Sequence, residues 1–325
     1  MIDYKGFIED NFQIINGKGE KRSFVFNDIQ NKYYHQLQAE YGDNLTALRE
    51  NVLKARREGF SSLIEGIFMT DFILSTLGQL PIISGQVVSH KADEVKPHIK
   101  RSNLFLDSYL EKKGITRKQF LKKDDTSYLE SVRGAEYYVG TAGAKTLGRG
   151  GTLQNLHWTE VAFYPNTEVL NAENIIMPAE QQVADGIGKI IRESTGNTRV
   201  DYFATEYFEG KNVGSTFKSR FFAWFEFGAY RRDVPMGFVF TEEHKEFMRT
   251  HNIDEKQMYW YIEKVLRLRG ANEKGEDKLR KAKREYPTSD TEAFLVSGNM
   301  YFNSIAVENY LNKVRDPILD NLIYV

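Results

Sequence analysis

Apolar positions recur along this chain in two patterns, one helical and one short and unbroken. Leu63, Ile64, Ile67 and Phe68 lie three or four residues apart, which predicts a helix from Ser61 to about Leu77, ended by Gly78 and Pro81. Upstream, residues 51–53 form a short apolar run of the kind a buried strand shows, and a polar turn with Gly59 near its end joins the two. Phe24-Val-Phe leads into an expected helix from Asp28 to about Tyr41, and a second helix is expected from Leu45 up to the strand. Beyond Pro81 the pattern predicts a strand over 85–90, a helix from Asp93 to about Leu110, and a hairpin of 128–132 and 135–141 turning at Arg133-Gly134. Residues 141–151 are rich in glycine and alanine and read as a flexible loop. Further strands are expected at 153–161 and 188–194, helices from Pro165 to about Ala184 and from about Val200, and an aromatic strand at 221–227. From Thr241 to about Arg284 the pattern is helical and highly charged.

Strands alternating with helices through residue 227 predict an α/β domain with a mostly parallel sheet flanked by helices. The remainder reads as a helical appendage. The expected division is therefore a core over 1–240 and a helical C-terminal subdomain over 241–325.

Composition narrows the class. The chain has 325 residues, enough for one large or two ordinary domains, with 41% hydrophobic and 27% charged residues. It has no cysteine, which excludes disulfides, thiolate zinc sites and cysteine nucleophiles and suits a reducing cytosol. The first residues, Met1-Ile-Asp-Tyr-Lys-Gly, lack a signal-peptide layout, and no apolar run approaches the roughly 20 residues that a membrane span needs. With a net charge of −1, any nucleic-acid partner has to be met by a local patch.

The candidate chemistry lies between the first strand and its helix. Strand, glycine turn, Ser61-Ser62 and helix is the layout of a phosphate-binding loop. In such a loop backbone N–H groups and a helix N-terminus hold an anion, and a hydroxyl meets magnesium. Against the pattern G-x-x-x-x-G-K-[ST], Gly59 and Ser61 fit, while Lys54 stands at the first glycine and Phe60 at the lysine. A lysine at the front of the loop can still reach the phosphates, since its stem is long and its charge compact. A nucleotide hydrolase also needs a carboxylate at the end of a neighbouring strand, and the strand at 153–161 carries Thr159-Glu160 near its end. The glutamate of the usual Asp-Glu pair orients or activates the attacking water, and the aspartate meets the metal's hydration shell. Thr159 in the aspartate's place can hydrogen-bond a metal-bound water but supplies no charge. Taken singly, Glu160 also fits a solvated residue at a strand end.

Three segments, 53–62 (Leu-Lys-Ala-Arg-Arg-Glu-Gly-Phe-Ser-Ser), 156–163 (Leu-His-Trp-Thr-Glu-Val-Ala-Phe) and 193–197 (Glu-Ser-Thr-Gly-Asn), resemble in order and spacing the three ATPase motifs of the large terminase subunit of tailed double-stranded DNA bacteriophages. Residues 26–30, Trp224-Phe-Glu and 284–298 resemble further segments of that family, so that the likeness covers about 24–302. Some terminases carry the loop lysine at the front and an aromatic residue at the usual lysine position, as Lys54 and Phe60 do here.

The resemblance implies a P-loop motor ATPase of the ASCE, RecA-like type, with Walker A and Walker B motifs, that pumps viral genomic DNA into an empty prohead. It implies ATP and Mg2+ as cofactors, and double-stranded DNA, the portal protein and the small terminase subunit as partners. It further implies a homo-oligomeric ring when assembled, a monomer in isolation, and the host cytoplasm as location. Carried over, Phe26, Asn27 and Gln30 hold the adenine side. Lys54 and the loop Arg56, Arg57, Gly59, Phe60, Ser61 and Ser62 hold the phosphates, with Ser61 and Thr159 on the metal side. Glu160 is the catalytic carboxylate, and Ser194, Thr195 and Asn197 form the coupling motif that senses the γ-phosphate.

Arg149, between Gly148 and Gly150, is placed by the ring analogy in a neighbour's site, where it would stabilise developing phosphoryl charge. Contact with DNA phosphates, or simple solvation of the loop, fits it equally. The family's nuclease domain is not found: beyond Gly298 the acids Glu308, Asp316 and Asp320 sit on one short helix and a loop, and the chain is expected to be an ATPase-domain fragment without nuclease activity. The basic run Lys278, Arg280, Lys281, Lys283 and Arg284 reads as a solvated helix face rather than a DNA contact. The aromatic cluster Phe221, Phe222, Trp224, Phe225 and Phe227 reads as core rather than a base-stacking platform. A rival function, supported by Phe60 and Thr159, is a nucleotide-gated DNA-binding or assembly protein without efficient hydrolysis. A two-domain helicase would need a second motor domain, for which no room remains after residue 227.

Overall fold

The computed structural model describes residues 1–142, 152–167, 171–268 and 281–294. Helix α1 (Tyr4–Asn11), capped by the Asp3 side chain, leads into a small antiparallel hairpin of β1 (Gln13–Ile15) and β2 (Lys21–Ser23). Helix α2 (Asp28–Tyr41) starts at a capping box, in which the Asn27 side chain takes the Gln30 backbone N–H and the Gln30 side chain takes that of Asn27. Then come β3 (Arg49–Lys54), α3 (Phe60–Thr76), β4 (Ser84–Ser89) and α4 (Ala92–Lys113). A short α5 (Arg117–Phe120) precedes β5 (Leu121–Asp124), β6 (Tyr128–Ser131) and β7 (Glu136–Thr141). The core is completed by β8 (Asn155–Thr159), α6 (Ala172–Glu180), β9 (Lys189–Ser194), α7 (Tyr202–Glu209) and β10 (Lys218–Phe222). Helices α8 (Glu242–His251) and α9 (Glu255–Leu268) lie beyond it in sequence.

Strands β3 to β10 form one sheet in the order β10-β3-β9-β8-β4-β7-β6-β5. Neighbours from β10 to β7 are parallel, while β6 and β5 add antiparallel at one edge, with a register irregularity between Leu121 and Lys123. Such a sheet has to be covered on both faces. One apolar layer holds Tyr33, Phe60, Ile67, Phe72 and Phe105; the other holds Leu53, Trp158, Ile190, Phe203 and Phe294. Helix α3 lies so deep that every residue from Leu63 to Thr76 is buried. Its two acids are paired accordingly: Glu65 with His98 and Arg101, and Asp71 with Lys189, Tyr4 and Asn155. Because β3, β4, β8 and β9 run parallel, their C-terminal ends meet at one edge, where ligands of open α/β sheets bind. Among the described residues no helix is long and apolar enough to cross a membrane.

The α/β class and the mostly parallel sheet agree with the sequence pattern; α1, the β1–β2 hairpin, α5 and β5 were not expected, and four of the expected elements differ. The helix expected from Leu45 is absent: Leu45 and Ala47 both have positive φ, which breaks a helix, and the chain turns directly into β3. The helix expected from Pro165 begins only at Ala172, where Asn171 caps it. The aromatic strand ends at Phe222, and Trp224–Glu226 is a single 3-10 turn, because the Glu226 carboxylate accepts from the Ala223 N–H. The charged helical stretch is not continuous: within residues 241–268 it holds two helices, separated at Asn252 in the left-handed region.

Residues 281–294 return to the core. The Glu285 carbonyl accepts from the Arg56 N–H, that of Pro287 from Trp224, and Ala293 and Phe294 pack in the second apolar layer. A third cluster, around Trp224, Tyr230, Phe240, Met258 and Tyr286, joins this return to the residues after β10. Lys283 pairs with Glu292, and Arg284 donates to Asn197, so these two cations of the basic run face protein. Lys278, Arg280, Arg149, most of the 141–151 loop and the acids Glu308, Asp316 and Asp320 lie outside the described residues.

Candidate active site

Lys54 is the last residue of β3 and is 5% exposed. Its Nζ donates to Glu160 Oε1 at 3.0 Å and lies 3.7 Å from Glu193 Oε2. Burial opposes the charge, but the two carboxylates outweigh it and hold the ammonium above the ordinary lysine value. The loop that follows reverses through Arg57 and Gly59, both at positive φ. Gly59 is required there twice over: its φ is 90°, and a Cβ would stand 2.7 Å from Gln30 Nε2. From behind, Asn27 Nδ2 donates to the Glu58 carbonyl at 3.0 Å and Gln30 Nε2 to the Gly59 carbonyl at 2.8 Å. The loop then enters α3, whose N-terminus carries no side-chain cap and so leaves its first-turn N–H groups open to an anion.

The residues expected at the phosphates are brought together. Lys54, Arg56, Arg57, Gly59, Ser61 and Glu160 line a cavity of about 380 Å³, with Ser62 beside them. Phe60 borders the cavity too, but its ring is anchored in the core, 4.7 Å from that of Phe222 and 5.4 Å from that of Tyr33. Position 60 therefore fixes the start of the helix and leaves the charge to Lys54. Phe26 is likewise a core residue, against Phe24 and Tyr34, and Asn27 and Gln30 spend their amides on the loop backbone. Asn27 and Gln30 thus brace the loop, while Phe26 packs in the core beside them.

Glu160 follows β8 with φ 54° and ψ 47°, a left-handed conformation uncommon for a non-glycine residue and of the kind held at functional sites. Its Oε1 meets Lys54, and its Oε2 accepts from the Thr195 N–H at 3.3 Å and Oγ1 at 3.4 Å. Ser194 Oγ accepts from the Ala162 N–H, and Asn197 Nδ2 donates to the Ala162 carbonyl. Ser194, Thr195 and Asn197 thus grip the Glu160 turn. Thr159 is buried, with Oγ1 3.5 Å from His98 Nε2. Thr159, Glu160, Thr195, Ser61, His98 and Arg101 line a second cavity of about 500 Å³ that shares Arg56, Ser61, Glu160 and Arg101 with the first.

Several residues here escaped the sequence reading. Glu193 is fully buried in β9 and accepts a hydrogen bond from Ser61 Oγ; burial opposes its charge, but Lys54, His157 and Ser61 hold the carboxyl well below the usual range. The signal was available, since Arg192-Glu193 follows the apolar pair Ile190-Ile191 within the strand and a charge in a central strand needs a reason. Arg101 reaches both cavities from α4 while donating to Glu65, and Glu285 pairs with Arg56 at 2.9 Å. No spacing in the sequence links those two residues to the loop.

The described residues contain no group of three or more histidine, aspartate and glutamate side chains able to hold a metal. A magnesium ion carried by a nucleotide does not need one, because phosphates and waters complete its octahedron around one or two protein oxygens. The Ser61 hydroxyl, with carboxylates on adjacent strands, has the hard oxygen chemistry that fits such an ion.

Fold and sheet order define a RecA-like α/β domain, with the loop strand and the glutamate strand separated by one strand. Among solved structures the chain is similar to the large terminase of bacteriophage HK97, at 15% identity and a TM-score of 0.50, covering 81% of this chain and 51% of that one. The large terminase ATPase domain of Thermus phage P74-26 aligns at 14% identity and TM-score 0.47, covering 77% of this chain and 91% of that one. The large terminase of a thermophilic bacteriophage aligns at 14% and 0.43, covering 70% and 50%. No protein-family model and no curated protein matches the sequence. The fold is thus the one that large terminase ATPase domains have, as the resemblance in the motifs implied. The chain spans about half the length of the HK97 protein.

Proposed function

We propose that this chain is an ATP-hydrolysing domain of a viral DNA-packaging motor. The observation that supports it most is the meeting of Lys54 and Glu160, at the ends of strands separated only by β9 and beside an uncapped helix N-terminus. In this reading Lys54, the loop from Arg56 to Ser62 and the first turn of α3 hold the triphosphate. Glu160 orients and deprotonates the attacking water, and Ser61 and Thr159 stand on the metal side. Magnesium, when bound with the nucleotide, neutralises phosphate charge. Thr195 and Asn197 pass the state of Glu160 to the 281–285 segment, since Asn197 Oδ1 also accepts from Arg284. Arg149 keeps the role of a residue offered to a neighbour's site, in a ring assembled on the portal with double-stranded DNA and the small subunit. Helices α8 and α9 belong to the helical subdomain of this motor.

The test is phosphate release by the assembled protein with DNA, comparing wild type with Glu160→Gln. Turnover that depends on Glu160 is the expected result. Nucleotide binding with wild-type turnover no faster than the variant's would favour the nucleotide-gated assembly protein, the reading that Thr159 supports by its lack of charge. Failure to bind ATP at all would overturn both.

A further inference from the structure

We propose that Glu193, on β9, supplies the carboxylate that the threonine at the end of β8 does not, and that it positions Ser61 for a divalent cation bound with a nucleoside triphosphate. The inference rests on the nucleotide-binding reading above and adds a residue to it.

The geometry begins with strand register. Thr159 and Glu193 are direct partners across the parallel β8–β9 pair, so their side chains stand on the same face of the sheet, one strand apart. A carboxylate moved from one position to the other stays next to α3 and comes one strand closer to the loop, since β9 pairs directly with β3. Thr159 makes no bond to Ser61; its hydroxyl lies 3.5 Å from His98 Nε2. Glu193 does: Ser61 Oγ donates to its Oε1, leaving the serine's lone pairs free to face a cation. A hydroxyl of the loop and a nearby carboxylate are the two protein groups that hold magnesium in P-loop enzymes.

A purely structural role explains Glu193 poorly. It is 0% exposed in a central strand, where an apolar residue of similar volume would serve packing as well or better. Its Oε1 has Ser61 and, at 3.3 Å, His157 Nε2; its Oε2 is buried, has no hydrogen bond, and lies 3.7 Å from Lys54 Nζ. A buried carboxylate oxygen without a hydrogen bond, beside the loop's hydroxyl and lysine, is placed to accept from a water of a hydrated cation. Glu193 is a positioning residue on this account: it acts through Ser61 and that water.

The experiment titrates manganese, followed by electron paramagnetic resonance, into the full chain with a non-hydrolysable ATP analogue. Glu193→Gln should weaken manganese binding in the ternary complex by about tenfold or more, the scale of losing one charged hydrogen bond, and by more than it changes metal-free nucleotide affinity. Adding Thr159→Asp to that variant returns a carboxylate to β8 and should recover most of the loss. Equal manganese affinity in wild type and Glu193→Gln would overturn the inference and leave the nucleotide reading intact. A wild type that binds no manganese–nucleotide would sink the nucleotide reading itself, and this inference with it. Should Glu193→Gln not fold, Thr159→Asp alone decides. A site already served by Glu193 gains less than about threefold from it, whereas a gain of about tenfold would show that the site lacks its carboxylate.

Discussion

The Nζ of Lys54 and Oε1 of Glu160 are 3.0 Å apart, although their strands are not neighbours in the sheet. In the proposed mechanism a phosphate entering the loop would compete with Glu160 for this ammonium, tying the cation that would bind it to the carboxylate that would activate water. Lys54→Ala should therefore lower nucleotide affinity or turnover by more than about tenfold, roughly the worth of a charged hydrogen bond. Fluorescent-nucleotide binding and phosphate release measure it. A variant that binds and hydrolyses as wild type does would remove Lys54 from the phosphate site.

Glu160→Gln should keep nucleotide binding and lose turnover by roughly 10²–10⁴-fold, because the amide preserves shape but accepts no proton. The amide keeps one acceptor oxygen; turned toward Thr195 it retains those hydrogen bonds and the left-handed turn while giving up the one from Lys54. Weakened binding with normal turnover would assign Glu160 to structure instead.

Phe60→Lys, which would complete the familiar loop pattern on paper, should destabilise the protein rather than improve it. The ring lies between Phe222 and Tyr33, and removing a buried phenylalanine costs about 3–5 kcal/mol before any charge is buried. Chemical denaturation gives the answer, and an unchanged midpoint would mean that position 60 opens to the site.

Gly196 touches the return segment: a Cβ there would stand 1.9 Å from the Ala293 carbonyl oxygen. Gly196→Ala should force 281–294 off the core, at a cost on the order of 1–3 kcal/mol as for other overpacked sites. Hydrogen exchange should show faster exchange at Trp224, whose N–H bonds the Pro287 carbonyl. Protection equal to wild type would mean that the backbone gives way without undocking.

The strand–loop–helix unit was legible because its signals are local: an apolar run, a glycine that needs positive φ, and helical spacing from Leu63 to Phe68. Glu160 was legible from its place at the end of a strand. What could not be read are the contacts between distant segments, such as Arg56 with Glu285 and Arg101 with Glu65, which depend on how elements stack rather than on spacing. Asn27 and Gln30 show the same limit: their amide bonds to the loop backbone, made beside the capping box of α2, follow from no spacing in the sequence. The helix expected from Leu45 failed because two consecutive turns override a weak propensity.

The far edge of the sheet bears on how copies of this chain meet. Strand β5 is four residues long, its register slips beside Lys122, and Lys122 and Lys123 both reach back to Glu130 on the neighbouring strand. Two charged, hydrated side chains and a local kink make this border a poor template for a further strand. Pairing there would have to dehydrate both lysines and straighten the kink, so growth of the sheet from one molecule into the next is blocked on that side. Any neighbour on that side would have to be met by side chains, helical faces or loops, which can slide and separate without tearing a backbone ladder.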